Sequence, residues 1–368
     1  AGIDSIAAAE LASRLRDETG VEISAADMFD HPTPRAISGH ILERLGVDDA
    51  VCAPFARAAL TPSSADSTAA VGIRYEATRW PGDAQGGRLA WRGMLHAAGD
   101  AVSIVPPTRW CLHGDEPELK SLSASQRQAA THGGFLSGVE AFDNRRFGIS
   151  PAETVAMDPQ QRLLLELGAG TLQGMALDQP LSGSTVGVFL GIERPDWALR
   201  NALAKRDTGE RVSPYVITGD TTSIACGRIS YVLGLRGPCA AFDTACASAA
   251  VAAHSAATAV RDGECVAALL TSVSLKLLPH PTLASASAGM LSPGGRCRTL
   301  DASADGYTRS EAAGAAALSL VDASAALQAR IEGSAVRQDG RSASLTAPNG
   351  PAQKELIRAA LTRAATLA

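Results

Sequence analysis

Apolar runs of strand length alternate with helical patterns along most of this chain, and that alternation constrains the fold more than any other feature. Four runs have the length and composition of buried strands: residues 185–192, 239–242, 266–274 and 315–321. Helical patterns at residues 159–175 and 247–262 lie among them, and Asp158 before Pro159 favours a helix start. The sequence therefore predicts an α/β domain with a largely buried sheet.

The start of the chain has a different pattern. Apolar side chains recur at helical spacing between Ile6 and Leu15, Asp4 or Ser5 can cap that helix, and Gly20 can end it. Two shorter helical patterns follow, at residues 25–29 and 35–45. We expect a small helical bundle that lacks its first helix.

Composition divides the chain into three parts. Residues 46–68 are rich in Ala, Pro, Ser, Asp and Thr without an apolar period, which is typical of a linker. The predicted boundaries are residues 1–45 for the helical unit, 46–68 for the linker and 69–368 for the α/β domain. Helical sequence starts within a few residues of Ala1 and continues to Ala368, so we interpret the chain as an excerpt of a longer protein.

Charge and composition exclude several classes of function. The formal net charge is -5 with 19% charged residues, so the basic surplus of a nucleic-acid-binding protein is missing. No apolar run reaches the roughly 18 residues of a membrane helix, and no signal peptide is evident, so we expect no membrane span and a location in the cytoplasm or within an organelle. The seven cysteines never form a C-x-x-C pair, so neither a disulfide framework nor a metal site is indicated.

The most informative segment is residues 242–250, where a strand pattern gives way to a helix of small residues with Cys246 at the turn. The positive end of a helix stabilises a thiolate, and small neighbours let a substrate approach. A buried cysteine is more often a small packing residue, so these residues alone leave both roles open.

The sequence Asp-Thr-Ala-Cys-Ala-Ser around Cys246 resembles the active-site cysteine motif of β-ketoacyl synthases of the polyketide and type I fatty-acid kind. Further segments resemble motifs of this family in the same order: residues 157–166, 289–306, 333–340 and 345–351. The resemblance covers about residue 71 to the end. It implies that Cys246 is the nucleophile and that residues 69–368 hold the first half of a thiolase-like ketosynthase fold.

Residues 2–6 and 29–33 resemble the pattern around the phosphopantetheine serine of acyl carrier proteins. The resemblance implies a partial all-α carrier-protein bundle at residues 1–45, with 4'-phosphopantetheine carried covalently on Ser5. The residues alone leave the simpler role open, in which Asp4 and Ser5 only cap a helix.

The resemblance implies acyl transfer from a carrier arm to Cys246, followed by decarboxylative Claisen condensation in polyketide or fatty-acid elongation. In the family, two histidines in Glu-Ala-His-Gly-Thr and Asn-x-x-Gly-His segments serve the decarboxylation, and neither segment occurs here. No histidine follows His280, so we expect this excerpt to hold the acylation half of the site without the condensation half. The alternatives are a non-condensing synthase, a thiolase-like enzyme acting on coenzyme A thioesters, and a scaffold subunit, which the presence of Cys246 disfavours.

The expected partners are acyl and malonyl carrier-protein thioesters, other synthase domains and a second ketosynthase copy in a homodimer. Several other residues receive simpler interpretations. We expect His254 to be a core or interface histidine and the remaining cysteines of the α/β domain to be packing residues: Cys226, Cys239, Cys265 and Cys297. Gly168, Gly170 and Gly174 are expected to end a helical run, where they cannot form a dinucleotide loop.

Overall fold

The structure of this chain is a computed structural model. It describes residues 5–31, 33–45, 70–82, 84–86, 88–111, 117–175, 180–208, 214–321, 327–342 and 347–367. The chain divides into two compact units, Ala1–Thr61 and Pro62–Ala368. The predicted linker at residues 46–68 lies outside the described residues.

In the first unit, the part of the chain that the structure describes forms three helices: α1 (Ser5–Thr19), α2 (Ala25–Asp30) and α3 (Pro34–Arg44). Gly20 ends α1 with a φ of 71°, a left-handed conformation that glycine adopts without strain. Ser24 and Asp27 form a capping box at α2, and the Thr33 hydroxyl accepts the Ala36 amide at 3.1 Å at the start of α3. Apolar side chains from the three helices and the loop before α2 form a small core: Ala12, Val21, Ile23, Met28, Ile37 and Ile41.

The described residues of the second unit form nine strands. Those strands are β1 (Val71–Trp80), β2 (Ala84–Gly86), β3 (Val102–Ile104), β4 (His132–Gly134), β5 (Val186–Ile192), β6 (Cys239–Phe242), β7 (Ala267–Ser274), β8 (Ala312–Leu320) and β9 (Ala329–Ile331). Its helices are α4 (Arg88–His96), α5 (Pro117–Lys120), α6 (Ala124–Ala129), α7 (Pro151–Ala156), α8 (Pro159–Met175), α9 (Trp197–Thr208), α10 (Val216–Gly219), α11 (Thr222–Leu233), α12 (Ser248–Arg261), α13 (His280–Ser287) and α14 (Gly350–Leu367).

The main sheet has the strand order β2-β1-β8-β7-β5-β6, with β9 also paired to β1. Strand β5 runs parallel to both β6 and β7, whereas β8 pairs antiparallel with β7 and with β1. Among the described residues, β6 forms one edge of this sheet. The predicted α/β domain with a buried sheet is therefore confirmed.

The core lies on both faces of β5 and β7. Every residue of β5 is buried, which agrees with its uninterrupted apolar sequence. Val188 and Leu190 face a core shared with α8 and α11, whereas Phe189, between them, faces a second core with α12. Alternate side chains of β5 therefore pack against helices on opposite faces of the sheet. The helix on the second face, α12, begins at the site.

Glycines let elements approach closely at two important places. A Cβ on Gly191 of β5 would lie 2.6 Å from the Ala249 nitrogen, so the absent side chain lets the first turn of α12 rest on the sheet. The three glycines of residues 168–174 lie in the last turns of α8, which ends at Met175 as the sequence predicts. Gly174 accommodates the Tyr75 ring, which a Cβ would meet at 2.6 Å.

Candidate active site

A tight turn carries Cys246 from the end of β6 to the start of α12. Ala245 has a φ of 51°, which is uncommon for a residue with a side chain, and residues Ala245–Ala247 form one 3-10 turn. The Ser248 hydroxyl fixes this turn because it accepts the Thr244 amide at 2.9 Å and donates to the Ala245 carbonyl at 2.7 Å. The predicted strand-to-helix turn is therefore present, with a strained residue beside the cysteine.

Cys246 is exposed and borders a cavity of about 490 Å³. The cavity runs past the carboxyl ends of β5 and β7, where Gly191, Ser272 and Ser274 lie in its wall. Polar side chains from several other segments complete the lining: Glu193, Ser248, Lys276, Ser285, Tyr307, Thr308, Arg309 and Ser310. The cysteine thus has room beside it for a bound group, and both polar and apolar side chains line that room.

The predicted motif at residues 289–306 lies next to this cavity. The buried Ser292 hydroxyl donates to Asp305 Oδ1 at 2.6 Å, and the Ser292 amide donates to the Tyr307 carbonyl at 3.0 Å. Gly306 must be a glycine, because its φ is 142° and a Cβ would lie 2.5 Å from the Leu291 carbonyl carbon. These contacts hold Met290 and Tyr307 in the wall of the cavity.

A second cavity of about 1010 Å³ lies at the cysteine turn, where Thr244, Ala247 and Val251 form part of its lining. The rest of the lining comes from residues 336–342 together with Ala347 and Pro348. The predicted motif at residues 333–340 and the described part of the motif at residues 345–351 thus also adjoin the cysteine turn. Asp339 joins the two motifs because its carboxylate accepts the Asn349 amide at 2.9 Å.

Helix α8, which contains most of the predicted motif at residues 157–166, holds a segment of the site in place. Asp158 caps it by accepting the Gln160 amide at 2.8 Å, and burial raises the pKa of this carboxyl to about 6. The Gln160 side chain in turn accepts the Leu275 amide at 2.9 Å, immediately after β7. The start of α8 therefore fixes the segment that follows β7, and Lys276 of that segment lines the cavity.

Sequence reasoning missed Lys276. Its side chain is only 10% exposed, and its Nζ lies 2.6 Å from Ser274 Oγ and 3.4 Å from Glu193 Oε2. Burial lowers the pKa of this lysine most, and the positive charge of the nearby Arg309 lowers it further. The available signal was a single lysine in an otherwise apolar run, Leu275 to Leu278.

The interpretation of four cysteines as packing residues holds for Cys226 and Cys265, which are buried, and is wrong for Cys239 and Cys297, which are exposed. Cys239 opens to solvent because β6 is an edge strand. A hydrogen bond from the Cys226 thiol lowers the pKa of Cys239 to about 6, and the same contact, with burial, raises the pKa of Cys226. Cys297 accepts the Thr308 amide at 3.1 Å.

The predicted core histidine is half-buried. His254 Nδ1 lies 2.8 Å from Ser334 Oγ, and burial, with Arg363 and Arg261 nearby, lowers its pKa. It does not line the cavity at Cys246.

Ser5 is the first residue of α1 in the helical unit. Asp4, the other predicted cap, lies outside the described residues. A hydroxyl at a helix start suits a phosphodiester, since the free amides and the positive end of the helix favour an anion there. The backbone therefore fits the 4'-phosphopantetheine expected on Ser5.

No group of His, Cys, Asp or Glu among the described residues could hold a metal ion. None of the helices in the described part of the chain is long and apolar enough to cross a membrane.

A mixed sheet between two helical layers, with a cysteine at the start of one helix, defines a thiolase-like α/β protein. The chain belongs to the β-ketoacyl synthase family: the model described as "Beta-ketoacyl synthase, N-terminal domain" matches residues 76–323, and that for the C-terminal domain matches residues 328–368. The model described as "Phosphopantetheine attachment site" matches residues 1–41, which indicates a covalently attached 4'-phosphopantetheine. The carrier-protein and ketosynthase resemblances are both confirmed.

Curated relatives are modular polyketide synthases. The chain is 40% identical over 374 residues to a spectinabilin polyketide synthase system protein of Streptomyces orinoci, covering 99% of this chain and 10% of that protein. It is 37% identical over 374 residues to an erythronolide synthase of Saccharopolyspora erythraea, with 99% of this chain and 11% of that protein covered. The chain thus spans a small part of the length of these relatives. Neither of them is described as a thiolase, so the comparison does not favour the thiolase-like alternative.

Solved ketosynthases have the same fold. An oxazolomycin ketosynthase domain of Streptomyces albus is 29% identical with a TM-score of 0.69, covering 81% of this chain and 51% of that one. A ketosynthase from module 6 of the bacillaene synthase of Bacillus subtilis is 30% identical with a TM-score of 0.63, covering 78% and 47%. The predicted thiolase-like ketosynthase fold is therefore confirmed.

Proposed function

We propose that Cys246 accepts an acyl chain from the phosphopantetheine arm of a carrier protein, as the first step of ketosynthase chemistry in polyketide elongation. The observation that carries this proposal is the exposed Cys246 thiol at the strained turn before α12, bordering a cavity of about 490 Å³. A helix start favours the thiolate, and the cavity gives the acyl group a place beside it.

The transfer needs an attacking sulfur and a donor for the developing oxyanion. The Cys246 thiolate attacks the thioester carbonyl carbon, and the tetrahedral intermediate then expels the pantetheine sulfur, which leaves as thiolate and takes up a proton. Three amides of the turn already have acceptors, because Thr244, Ala245 and Ala247 donate to Ser248 Oγ, Asp243 Oδ1 and the Thr244 carbonyl. The Cys246 amide is the donor we assign to the oxyanion.

We assign the condensation step to the whole synthase domain to which this chain belongs. That step joins the acyl chain to a malonyl carrier thioester with loss of carbon dioxide, and the histidines implied for it by the resemblance are not in this sequence. Its test supplies the intact protein with an acyl thioester and a malonyl-loaded carrier. A 3-oxoacyl carrier and one carbon dioxide per turnover are expected, whereas acyl transfer to a carrier without carbon dioxide would establish the non-condensing alternative.

We assign the 4'-phosphopantetheine arm to Ser5. Incubation of the intact protein with coenzyme A and a phosphopantetheinyl transferase should add one arm to wild type and none to Ser5→Ala. Ser38→Ala is a matched control, since Ser38 is an exposed serine within α3 of the same unit. An arm that still attaches to Ser5→Ala would contradict the assignment.

The proposed partners are acyl and malonyl carrier proteins, other synthase domains and a second copy of this domain. The edge position of β6 supports the homodimer, because an unpaired edge can extend its sheet across an interface. The apolar side chain of Tyr231, 84% exposed on α11 beside β6, adds to that surface. A cytoplasmic or organellar location remains a prediction from the sequence.

A further inference from the structure

Lys276 is a charged side chain in the wall of the Cys246 cavity that acyl transfer does not require. A lysine ammonium has three N–H donors, and Ser274 Oγ at 2.6 Å and Glu193 Oε2 at 3.4 Å accept two of them. Among the described residues, no further acceptor for Nζ is present. One donor thus remains for a group that enters the cavity.

The position of Lys276 follows from the strand before it. Ser272, Ser274 and Lys276 occupy alternate positions along β7 and its continuation, so their side chains point to one side of the sheet. All three line the cavity that Cys246 borders. The lysine therefore faces the space that an acyl group on the cysteine would occupy.

Neighbouring elements hold the backbone of this segment in place. The Lys276 amide donates to Glu311 Oε1 at 2.9 Å, and Glu311 is fully buried. The Leu277 and Leu278 amides both donate to Asp196 Oδ2, at 3.0 and 3.2 Å. With its main chain fixed on both sides, Lys276 presents its ammonium from a preorganised position.

The charged side chains around this cavity favour a ligand that carries a hydrogen-bond acceptor. Lys276, Arg309 and Glu193 are the charged side chains of its described lining, and the Asp196 carboxylate lies close enough to interact with both cations. Arg309 Nη1 donates to the Pro281 carbonyl at 2.9 Å and to Ser285 Oγ at 3.2 Å, so the Glu193 carboxylate does not neutralise it directly. A buried cation is costly unless hydrogen-bond acceptors compensate it, and an acyl oxygen would supply one.

A third cavity adjoins the Cys246 cavity, because Ser272 and Ser274 line both of them. It measures about 320 Å³ and is lined mainly by apolar atoms of residues such as Trp80, Leu270 and Ala315. Its apolar wall suits the hydrocarbon part of an acyl chain, whereas the charged and hydroxyl side chains lie in the cavity that Cys246 borders.

We propose that Lys276 makes the Cys246 cavity a subsite for acyl groups that carry a hydrogen-bond-accepting oxygen near the thioester, and most strongly for a carboxylate. The lysine donates its remaining N–H to that oxygen and thereby sets which acyl groups load. This inference rests on the proposed acyl transfer to Cys246.

The test measures acylation rates of Cys246 in the intact protein by mass spectrometry with three N-acetylcysteamine thioesters: succinyl, 3-hydroxybutyryl and butyryl. In wild type, the succinyl and 3-hydroxybutyryl groups should load roughly tenfold or more faster than butyryl, as expected for a charged hydrogen bond. Lys276→Met should remove this preference and leave butyryl loading within about threefold. Lys276→Gln keeps a neutral donor, so it should lose the preference for succinyl more than that for 3-hydroxybutyryl.

Two further variants sharpen the test. Glu193→Gln removes the competing carboxylate and should raise succinyl loading relative to butyryl, and this rise should be smaller when Lys276→Met is also present, whereas a purely structural lysine would leave it unchanged. Lys354→Met alters an exposed lysine on α14 outside the cavity and should change no ratio. Equal loss with all three thioesters in both Lys276 variants, or unchanged ratios, would overturn the proposal. Failure of all three to load wild-type Cys246 would overturn the proposed function and this inference with it.

Discussion

Two exposed cysteines lie on either side of β6: Cys239 begins the strand and Cys246 follows it. They differ in the backbone around them and in the space beside their thiols. Cys239 begins β6 at the edge of the sheet, where a hydrogen bond from Cys226 lowers its pKa to about 6. Cys246 follows the strand, at a turn strained at Ala245 and before the 14-residue helix α12. Cys246 borders a cavity of about 490 Å³, whose lining does not include Cys239.

From this difference we expect that an acidic, exposed thiol is not sufficient for an acyl acceptor. The thioester carbonyl must also meet a donor for its oxyanion, and the acyl group must have a place beside the sulfur. Cys239 has the ionisation without the cavity, whereas Cys246 has the cavity and the helix start. Exposure therefore does not distinguish the two residues, and we expect acyl loading to do so.

The largest expected effect comes from removing each thiol in turn. Cys246→Ala should reduce acyl loading of the intact protein by at least about a thousandfold, because no other group can attack from this position. Cys239→Ala should leave loading within about twofold, since Cys239 does not line the cavity. Intact-protein mass spectrometry after exposure to an acyl thioester measures both. Comparable losses in the two variants would remove the distinction between the thiols.

A smaller effect should follow from a change in the turn itself. Ala245→Val places a β-branched side chain at a φ of 51°, which costs on the order of 1–3 kcal/mol and displaces the cysteine, so loading should fall roughly tenfold. Ala245→Gly suits this backbone and should load like wild type. Ala240→Val, within β6, is the matched control, because a strand tolerates a β-branched residue. Equal loading by Ala245→Val and Ala240→Val would show that the turn is not required.

The smallest effect concerns the pH dependence of Cys239. The thiolate reacts with iodoacetamide, and with a pKa of about 6 its fraction should fall roughly tenfold between pH 7 and pH 5. Cys226→Ala removes the donor that stabilises this thiolate, so the pKa should rise and labelling at pH 7 should slow. Peptide-resolved labelling across this pH range measures both profiles. An unchanged profile in Cys226→Ala would show that the hydrogen bond does not set the acidity of Cys239.

Local sequence predicted much of the fold and the position of Cys246. The strand at residues 239–242 and the helix at residues 159–175 have the bounds expected, because the apolar period and the caps that set them are local. The exposure of Cys239 could not be predicted, since it depends on β6 being an edge strand, and strand order is a long-range property. Lys276 was missed for a similar reason: only the fold brings it to the same cavity as Cys246.

The central claim is that the acyl group on this protein resides on Cys246. The most direct measurement treats wild-type protein with an acyl thioester for increasing times, stops the reaction at low pH and maps the adduct by peptide mass spectrometry. Cys239 and Cys246 lie together between Arg236 and Arg261, so fragment ions that break the chain between them must locate the group. We predict the acyl group on Cys246 from the earliest time onward. An adduct that forms first on Cys239, or on any other residue while Cys246 stays free, would contradict the account.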